Sequence, residues 1–588
     1  MIGEPRGRAL RLIDGAMAAA ALAALALLVA EYGFLPGRAT VSGLHLAGVL
    51  CAAIFGALQA AKLLVVREPR AYLRTHRLDF SLLAVLMAQA VIHLQLRGTG
   101  EFRYLAARGL ASPLPAFYVA VLQVYLLLIV VLRSSRFHAL LVRMRLRPVQ
   151  MLAASFAGLV AAGSALLALP GAAADGRSIG LLDALFTATS AVCVTGLVVV
   201  DTGTAFSGFG HAVLGLLIQA GGLGILTLTA SVALFGGYGL GRAEREALVQ
   251  ALQMDDPGVL RRDFGRILAS TFAIEAAGAA ALWLAWRGAL PDPWERAAWA
   301  AFHSVSAFCN AGFALFAGNA SLTAFRGDAA TCLVIAGLIV LGGLGFPVLA
   351  EMAGRAARGV ARLRSAAARA RRAGAPAARL SRHARWVLVV TALLLAGGAL
   401  GFAALEDRGA LGGLPPFESA LAAFFQSATL RTAGFNTIAL GGLGLPAVWL
   451  CVVLMLVGGS PASTAGGMKT TTAAAIVAGL ARRRRVDAGT WRRALRLGGI
   501  FLLAYGGFAL ALALAQGAWD RRVAFEAASA LATVGLSMDY TPLVQPAGKL
   551  VLCAAMFAGR VGPFAVAAAL LPIRDQDAPR GVGAILLG

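Results

Sequence analysis

This sequence has little charge. Acidic and basic residues make up only 14% of its 588 residues, too few to keep the surface of so large a chain in water. Lysine is nearly missing: Lys62, Lys469 and Lys549 are the only three, and arginine carries the rest of the positive charge. The 7 histidines are scattered. The 6 cysteines, Cys51, Cys193, Cys309, Cys332, Cys451 and Cys553, lie in apolar segments. They form no CxxC pair and have no histidine at metal-ligand spacing, which excludes a zinc module and reads as reduced packing residues. Nucleophile elbow, phosphate-binding loop and catalytic metal cluster are all missing too, so the chain reads as no enzyme, with no catalytic residue and no covalent cofactor.

What is present is apolar. Hydrophobic residues make up 59% of the chain and the mean hydropathy is +0.78, values of a protein whose main solvent is the bilayer. The net charge of +24 would suggest nucleic acid if it formed one soluble patch. Instead it falls in clusters between apolar runs, at 6–11, 67–77, 133–147, 355–385 and 482–496. That is the positive-inside pattern, which puts these links and the N-terminus on the cytoplasmic side of a bacterial inner membrane. The first run, 16–30, resembles a signal peptide in its flanks, but many spans follow it and it reads as a retained helix.

A helix needs about 20 apolar residues to cross the hydrocarbon core. That rule gives four spans, near 13–30, 44–66, 82–96 and 115–132, so residues 1–133 form an N-terminal four-helix extension and 134–147 a basic cytoplasmic linker. Beyond it, long apolar runs come in pairs with a shorter amphipathic stretch and a small-residue turn between them. The expected architecture is all-α and polytopic, with four helix, pore-helix, helix repeats at 148–240, 262–354, 384–481 and 495–572. The Ala/Arg-rich stretch 355–383 reads as a cytoplasmic loop, either helical or disordered, and 573–588 as a tail.

The four turns are Val194-Thr195-Gly196-Leu197, Asn310-Ala311-Gly312-Phe313, Thr432-Ala433-Gly434-Phe435 and Thr533-Val534-Gly535-Leu536. Their glycines are 116, 122 and 101 residues apart, the period of a whole supersecondary unit. A second glycine follows each at 25, 30, 24 and 24 residues, namely Gly221, Gly342, Gly458 and Gly559, marking a flexible or close-packed point near the middle of the following helix. Non-helical backbone at membrane depth survives only where protein buries it or it lines a water-filled path. Four equivalent turns therefore imply one path, and glycine lets successive carbonyls face inward to replace the hydration shell of a monovalent cation. Asp183, Asp292-Pro293, Glu418 and Asp520 stand near the starts of the preceding helices, where acids and an early proline favour the N-terminus.

These segments resemble the Trk/Ktr/HKT superfamily of cation transporters. The run from Asp183 to Thr204 looks like the first filter of Ktr-type members; Phe302-His303-Ser304 to Phe313 resembles the second, Phe425-Gln426-Ser427 to Asn436 the third, and Thr533 to Ser537 the fourth. The resemblance, over about 148–572, implies a pseudo-fourfold homodimeric pore subunit that binds K+ at Gly196, Gly312, Gly434 and Gly535. It also implies a separate cytoplasmic ring of nucleotide-binding regulatory subunits similar to KtrA or TrkA, on which alone ATP/ADP or NAD is expected. Glycine in all four filters resembles the potassium-selective members, whereas serine in the first is associated with sodium.

Two features point to a gate. Gly458, Gly459, Ser460, Pro461, Ala462, Ser463, Thr464, Ala465, Gly466, Gly467, Met468 and Lys469 interrupt an apolar helix with residues that cannot hold a regular ladder. Such a kink could also merely aid helix packing. Its place below the third turn resembles the family's intramembrane gate loop, although glycine is usual where Ala462 stands, so this loop is expected to be stiffer. Lys469 is expected to snorkel toward the interface. Arg560 lies deep in the last apolar run, where a charge costs about 2.5–3.5 kcal/mol and needs a polar partner. It resembles the family's arginine beside the gate loop, so hydrogen bonds to loop carbonyls are expected; pairing with an acid is the alternative.

The extension departs from the family core. Arg133 and Arg136 could suggest a voltage sensor, but arginines just beyond a span more often form the positive belt, with Asp79 the single candidate counter-charge. The leading function is potassium uptake, with sodium-permeable or sodium-coupled transport on the same fold as its rival. A broken-helix carrier for an organic solute would show inverted repeats, and these repeats share one topology.

Overall fold

Each repeat begins with a helix of 20 residues or more and then enters a short helix whose C-terminus must be satisfied by protein. The computed structural model describes residues 148–224, 260–355, 380–481 and 487–562, together with 38–65 and parts of 12–34. The chain divides into two compact units, one of residues 1–146, 169–172 and 228–244, the other of 147–168, 173–227 and 245–588. In the first, Arg38–Val65 is one continuous helix of 28 residues. The expected spans at 82–96 and 115–132, the linker 134–147, most of the loop 355–383 and the tail 573–588 lie outside the described residues.

The second unit is helical, with no strand among the described residues. Its helices are α1 Pro148–Leu167, α2 Leu181–Val192, α3 Gly208–Leu223, α4 Leu260–Ala285, α5 Pro293–Phe308, α6 Ala329–Leu344, α8 Arg382–Glu406, α9 Pro416–Thr429, α10 Leu445–Leu456, α11 Thr470–Leu480, α12 Ala488–Gln516, α13 Arg521–Leu531 and α14 Pro546–Val561, with α7 Phe346–Arg355 following α6. The order helix, short helix, turn, helix thus recurs four times. Among the described residues, Ile267–Ala285, Arg382–Glu406 and Ala488–Gln516 are each long and apolar enough to cross a membrane.

In the short helices α2, α5, α9 and α13 the buried residues gather toward the C-terminus. In α13 every residue from Val523 to Leu531 is buried, including Glu526. Asp292 caps α5 by accepting from Trp294 N, with Pro293 in the first turn. Asp183 and Glu418 lie in first turns, of α2 and α9, but cap neither helix with a side-chain bond, and Asp520 at the start of α13 also makes no capping bond.

The closing helix of each repeat is shorter than its apolar run suggests. Gly224, Gly345 and Gly562 end α3, α6 and α14 with φ of 71°, 87° and 96°, angles that only glycine adopts freely. After Gly345 the chain bends by 109° into α7. The apolar runs hide these breaks, because hydrophobicity continues through them.

Three of the second glycines, read from sequence as points near mid-helix, therefore lie in the last turn: Gly221, Gly342 and Gly559. In three repeats their role is close packing. A Cβ on Gly221, Gly342 or Gly559 would overlap the carbonyl of Val192, Phe308 or Leu531 respectively, each four residues ahead of the turn glycine. In the third repeat Gly458 instead abuts Gly466 O within the interrupting loop.

Candidate functional site

Each short helix delivers its C-terminus into a turn of unusual backbone. Two residues before each glycine the chain is left-handed, with φ of 49° at Val194, 58° at Asn310, 70° at Thr432 and 51° at Thr533. For β-branched residues this is strained, and the strain persists because the surroundings fix it. The glycines follow at 93°, 69°, 84° and 94°.

The turns meet in a closed cycle. A Cβ on Gly196 would overlap Ala311 O; on Gly312 it would lie 2.6 Å from Ala433 O; on Gly434, 2.5 Å from Val534 O; and on Gly535 it would overlap Thr195 O. Each glycine thus faces the carbonyl of the residue before the next glycine, in the order first, second, third, fourth and back to first. All four turns lie in the protein interior, with Thr195, Asn310, Thr432 and Thr533 fully buried. The helix dipoles end here in partial negative charge.

Serines on the short helices brace three of the turns. Ser190 Oγ accepts from Gly196 N at 3.0 Å and Ser529 Oγ from Gly535 N at 3.0 Å, while Ser306 Oγ donates to Phe313 O at 2.9 Å. All three stand six residues before their glycine. In the third turn Ala428 occupies that place, and Ser427 Oγ donates to Leu395 O instead. Taken turn by turn, these serines carry no role legible in the sequence; their recurrence six residues before the glycine in three of the four repeats is the signal that marks them.

On the far side of the turns, every neighbouring pair of repeats is tied. Asp201 accepts from Gly318 N at 2.7 Å and Asn319 N at 3.3 Å, joining the first to the second. Partial burial pushes this carboxyl up, but the bonds from Thr204, Gly318, Asn319 and Gly203 outweigh it and hold it below the ordinary carboxylate value. Arg326 pairs with Glu418 at 3.5 Å, second to third. Arg521 Nη1 donates to Leu443 O at 3.0 Å, fourth to third. Lys549 Nζ meets Asp183 Oδ1 at 2.5 Å, fourth to first.

The loop between α10 and α11 lies on the side of the short-helix C-termini. It closes on itself through Gly458 N to Met468 O (3.0 Å), Met468 N to Leu456 O (3.0 Å) and Thr470 N to Gly459 O (2.9 Å). It then fills the break after α6: Ser460 N donates to Gly343 O (2.9 Å), Thr464 N to Gly342 O (3.3 Å), and Phe346 N to Ala462 O (2.9 Å). Thr464 Oγ1 donates to Phe308 O at 3.0 Å, and a Cβ on Gly466 would overlap Thr533 Oγ1. Pro461 is buried, while Ser463 and Gly467 are partly so.

Arg560 binds this loop rather than an acid. Its Nη1 donates to Thr464 O at 2.5 Å and its Nη2 to Gly221 O at 2.5 Å, with Gly222 O at 3.4 Å. Two repeats and the loop therefore share one guanidinium. Lys469 does not snorkel: its Nζ turns back to Ala465 O at 2.8 Å, because an ammonium this far inside gains more from a loop carbonyl than from apolar surroundings.

Residues 121–490 match the family described as TrkH, cation transport protein. The chain is 35% identical over 431 residues to the Ktr system potassium uptake protein B of Vibrio alginolyticus, which spans 70% of this chain and 89% of that protein. It is 33% identical over 449 residues to the potassium/sodium uptake protein NtpJ of Enterococcus hirae, spanning 73% of this chain and 94% of that one. The crystal structure of the potassium transporter TrkH from Vibrio parahaemolyticus shares the fold, with a TM-score of 0.57 over 83% of this chain and 97% of the other at 19% identity. On the extent of these matches, the chain belongs to the TrkH family of cation transport proteins and is a multi-pass membrane protein.

Proposed function

We propose that the chain takes up potassium across the inner membrane through one filter made by the four turns in pseudo-fourfold arrangement. The observation that carries this reading is the closed cycle of glycines, each set against the carbonyl before the next. Carbonyls of residues 194–197, 310–313, 432–435 and 533–536 replace the hydration shell of K+, and the dipoles of α2, α5, α9 and α13 favour its charge. The loop at 458–469 blocks the path below, and Arg560 sets a positive charge there, so conduction requires the loop to move. The same reading makes the pore a homodimer, with its N-terminus cytoplasmic, opened by a separate nucleotide-binding regulatory ring like that of Ktr systems.

Growth rescue of a potassium-uptake-deficient bacterium at low potassium, with the chain co-expressed with a Ktr-type regulatory subunit, tests the reading. Rubidium and sodium flux are compared in the unaltered chain and in Gly434→Ser. Absence of rescue refutes uptake; equal rubidium and sodium flux in the unaltered chain refutes selectivity alone. A sodium-permeable pore is the second reading, favoured by the similarity to a potassium/sodium uptake protein.

A further inference from the structure

One position in the short helices, nine residues before the turn glycine, is occupied by Thr187, His303, Phe425 and Glu526 in order. His303 and Glu526 do the same thing from it. His303 Nε2 accepts from Leu315 N at 3.2 Å, and Leu315 stands three residues after Gly312. Glu526 Oε1 accepts from Met538 N at 3.2 Å, and Met538 stands three residues after Gly535. Two chemically different side chains thus hold the same backbone amide of the leg that leaves the turn.

Both anchors are set firmly. His303 Nδ1 lies 2.8 Å from Trp299 O; a carbonyl can only accept, so the proton sits on Nδ1 and Nε2 is left as the acceptor. The ring is fully buried and packs edge-on against Trp286, with centroids 5.0 Å apart. Glu526, also fully buried, accepts from Ser537 Oγ at 2.5 Å and Thr541 Oγ1 at 2.7 Å as well. It gathers the leg from Ser537 to Thr541 onto α13.

The other two repeats have no such anchor. Thr187 Oγ1 donates to its own helix, at Asp183 O, and Phe425 has no polar atom. In the third repeat the leg is held instead by the second, through Leu322 N to Asn436 O at 2.9 Å and Asn436 N to Ser321 Oγ at 3.1 Å. In the cycle of turns the second and fourth stand opposite one another, as do the first and third.

We propose that His303 and Glu526 are positioning residues for ion selectivity. They pin the second and fourth legs to their own short helices, so that this opposite pair is held more firmly than the first and third and sets the width of the path. The proposal rests on the filter reading above. Carbonyls that cannot relax inward cannot close on a smaller cation, so a pinned pair discriminates against sodium.

The test is the ratio of rubidium to sodium flux in the full chain reconstituted in liposomes. His303→Leu and Glu526→Leu should each lower that ratio by about tenfold, the effect of one buried hydrogen bond lost. Thr187→Val and Phe425→Leu, at the equivalent unpinned positions, should leave it within about twofold. His303→Gln, whose amide oxygen can still accept from Leu315 N, should restore most of the ratio, which a purely packing role would not do. Should the leucine variants fail to reconstitute, His303→Asn and Glu526→Asp are read instead: they keep the polarity, fall short of the amide, and carry the same expectation. An unchanged ratio at both pinned positions, or an equal fall at all four, overturns the proposal. Gly434→Ser in the same series separates the two readings. A shifted ratio there with none at His303 and Glu526 leaves the filter standing without its pins, whereas no shift at Gly434 removes the filter reading itself.

Discussion

Arg560 donates to Thr464 O at 2.5 Å, a bond from the last described helix to the middle of the loop that interrupts the third repeat. The partner is a carbonyl and not an acid, so the positive charge is held in place without being neutralised. Removing the arginine frees the loop at its middle and takes away the barrier charge together. Arg560→Ala should therefore raise rubidium flux in the absence of the regulatory subunit, by several-fold or more, and weaken its dependence on that subunit. Arg560→Lys should fall between, since an ammonium cannot span Thr464 O and Gly221 O as the forked guanidinium does. Equal regulated flux in all three would remove the loop and arginine from gating.

Ala462 makes a second, independent test of the same loop. Its φ is 53°, a left-handed angle that costs an L-residue about 1–2 kcal/mol relative to glycine. Its carbonyl nevertheless accepts from Phe346 N at the bend after α6. Ala462→Gly removes the strain of the closed form but also enlarges the range of open conformations. If the loop stays left-handed at 462 only when closed, the variant should stabilise closure and lower basal flux by several-fold. Thermal unfolding of the purified protein should rise or hold. A higher basal flux would mean that flexibility, not strain, dominates at this residue.

How much of this could be read from the sequence follows from what each residue requires locally. The turn glycines were legible because left-handed backbone set against a neighbouring carbonyl admits only glycine, and the requirement recurs four times. Arg560 was legible because an uncancelled charge in an apolar run demands an explanation. The left-handed backbone of Val194 and Thr533 within those turns was not, since β-branched residues argue against it and only tertiary packing holds them there. Nor were the breaks at Gly224, Gly345 and Gly562, where apolar residues run on. The bond from Thr464 Oγ1 to Phe308 O spans 156 positions, a distance across which no local pattern reaches.

Asp201 predicts an acid limit. Against the upward push of partial burial, its carboxylate oxygens accept from Thr204 Oγ1 and from the Gly318, Asn319 and Gly203 amides, which hold the carboxyl below the ordinary value, so its contribution is complete at any pH above the ordinary carboxylate range. It is lost only as the pH falls through the lowered folded value. Flux should then be flat with external pH through the neutral and mildly acidic range and fall only below the ordinary carboxylate range. Asp201→Asn keeps an acceptor oxygen but loses the charge, and should show lower flux with that acid step missing. An unchanged step in Asp201→Asn would assign it to another group.

Gly342 and Gly343 are adjacent in α6, and the structure assigns them opposite responses to the same methyl group. A Cβ on Gly342 would overlap Phe308 O and come within 2.9 Å of Thr464 Oγ1, whereas on Gly343 it would meet only the Asn310 amide, at 3.6 Å. The first contact is backbone at the end of a short helix, which cannot yield without moving the turn above it. The second is ordinary van der Waals distance. Alanine also favours a helix over glycine by about 1 kcal/mol. Gly343→Ala should therefore hold or raise the melting temperature with flux retained. Gly342→Ala should lower it by several degrees and cut flux by about tenfold or more, since it pushes Phe308, the bond Thr464 makes to it, and the second turn together. Paired thermal unfolding and rubidium flux on the two variants check this, and similar losses in both would show that α6 is packed by its whole face and not by Gly342 alone.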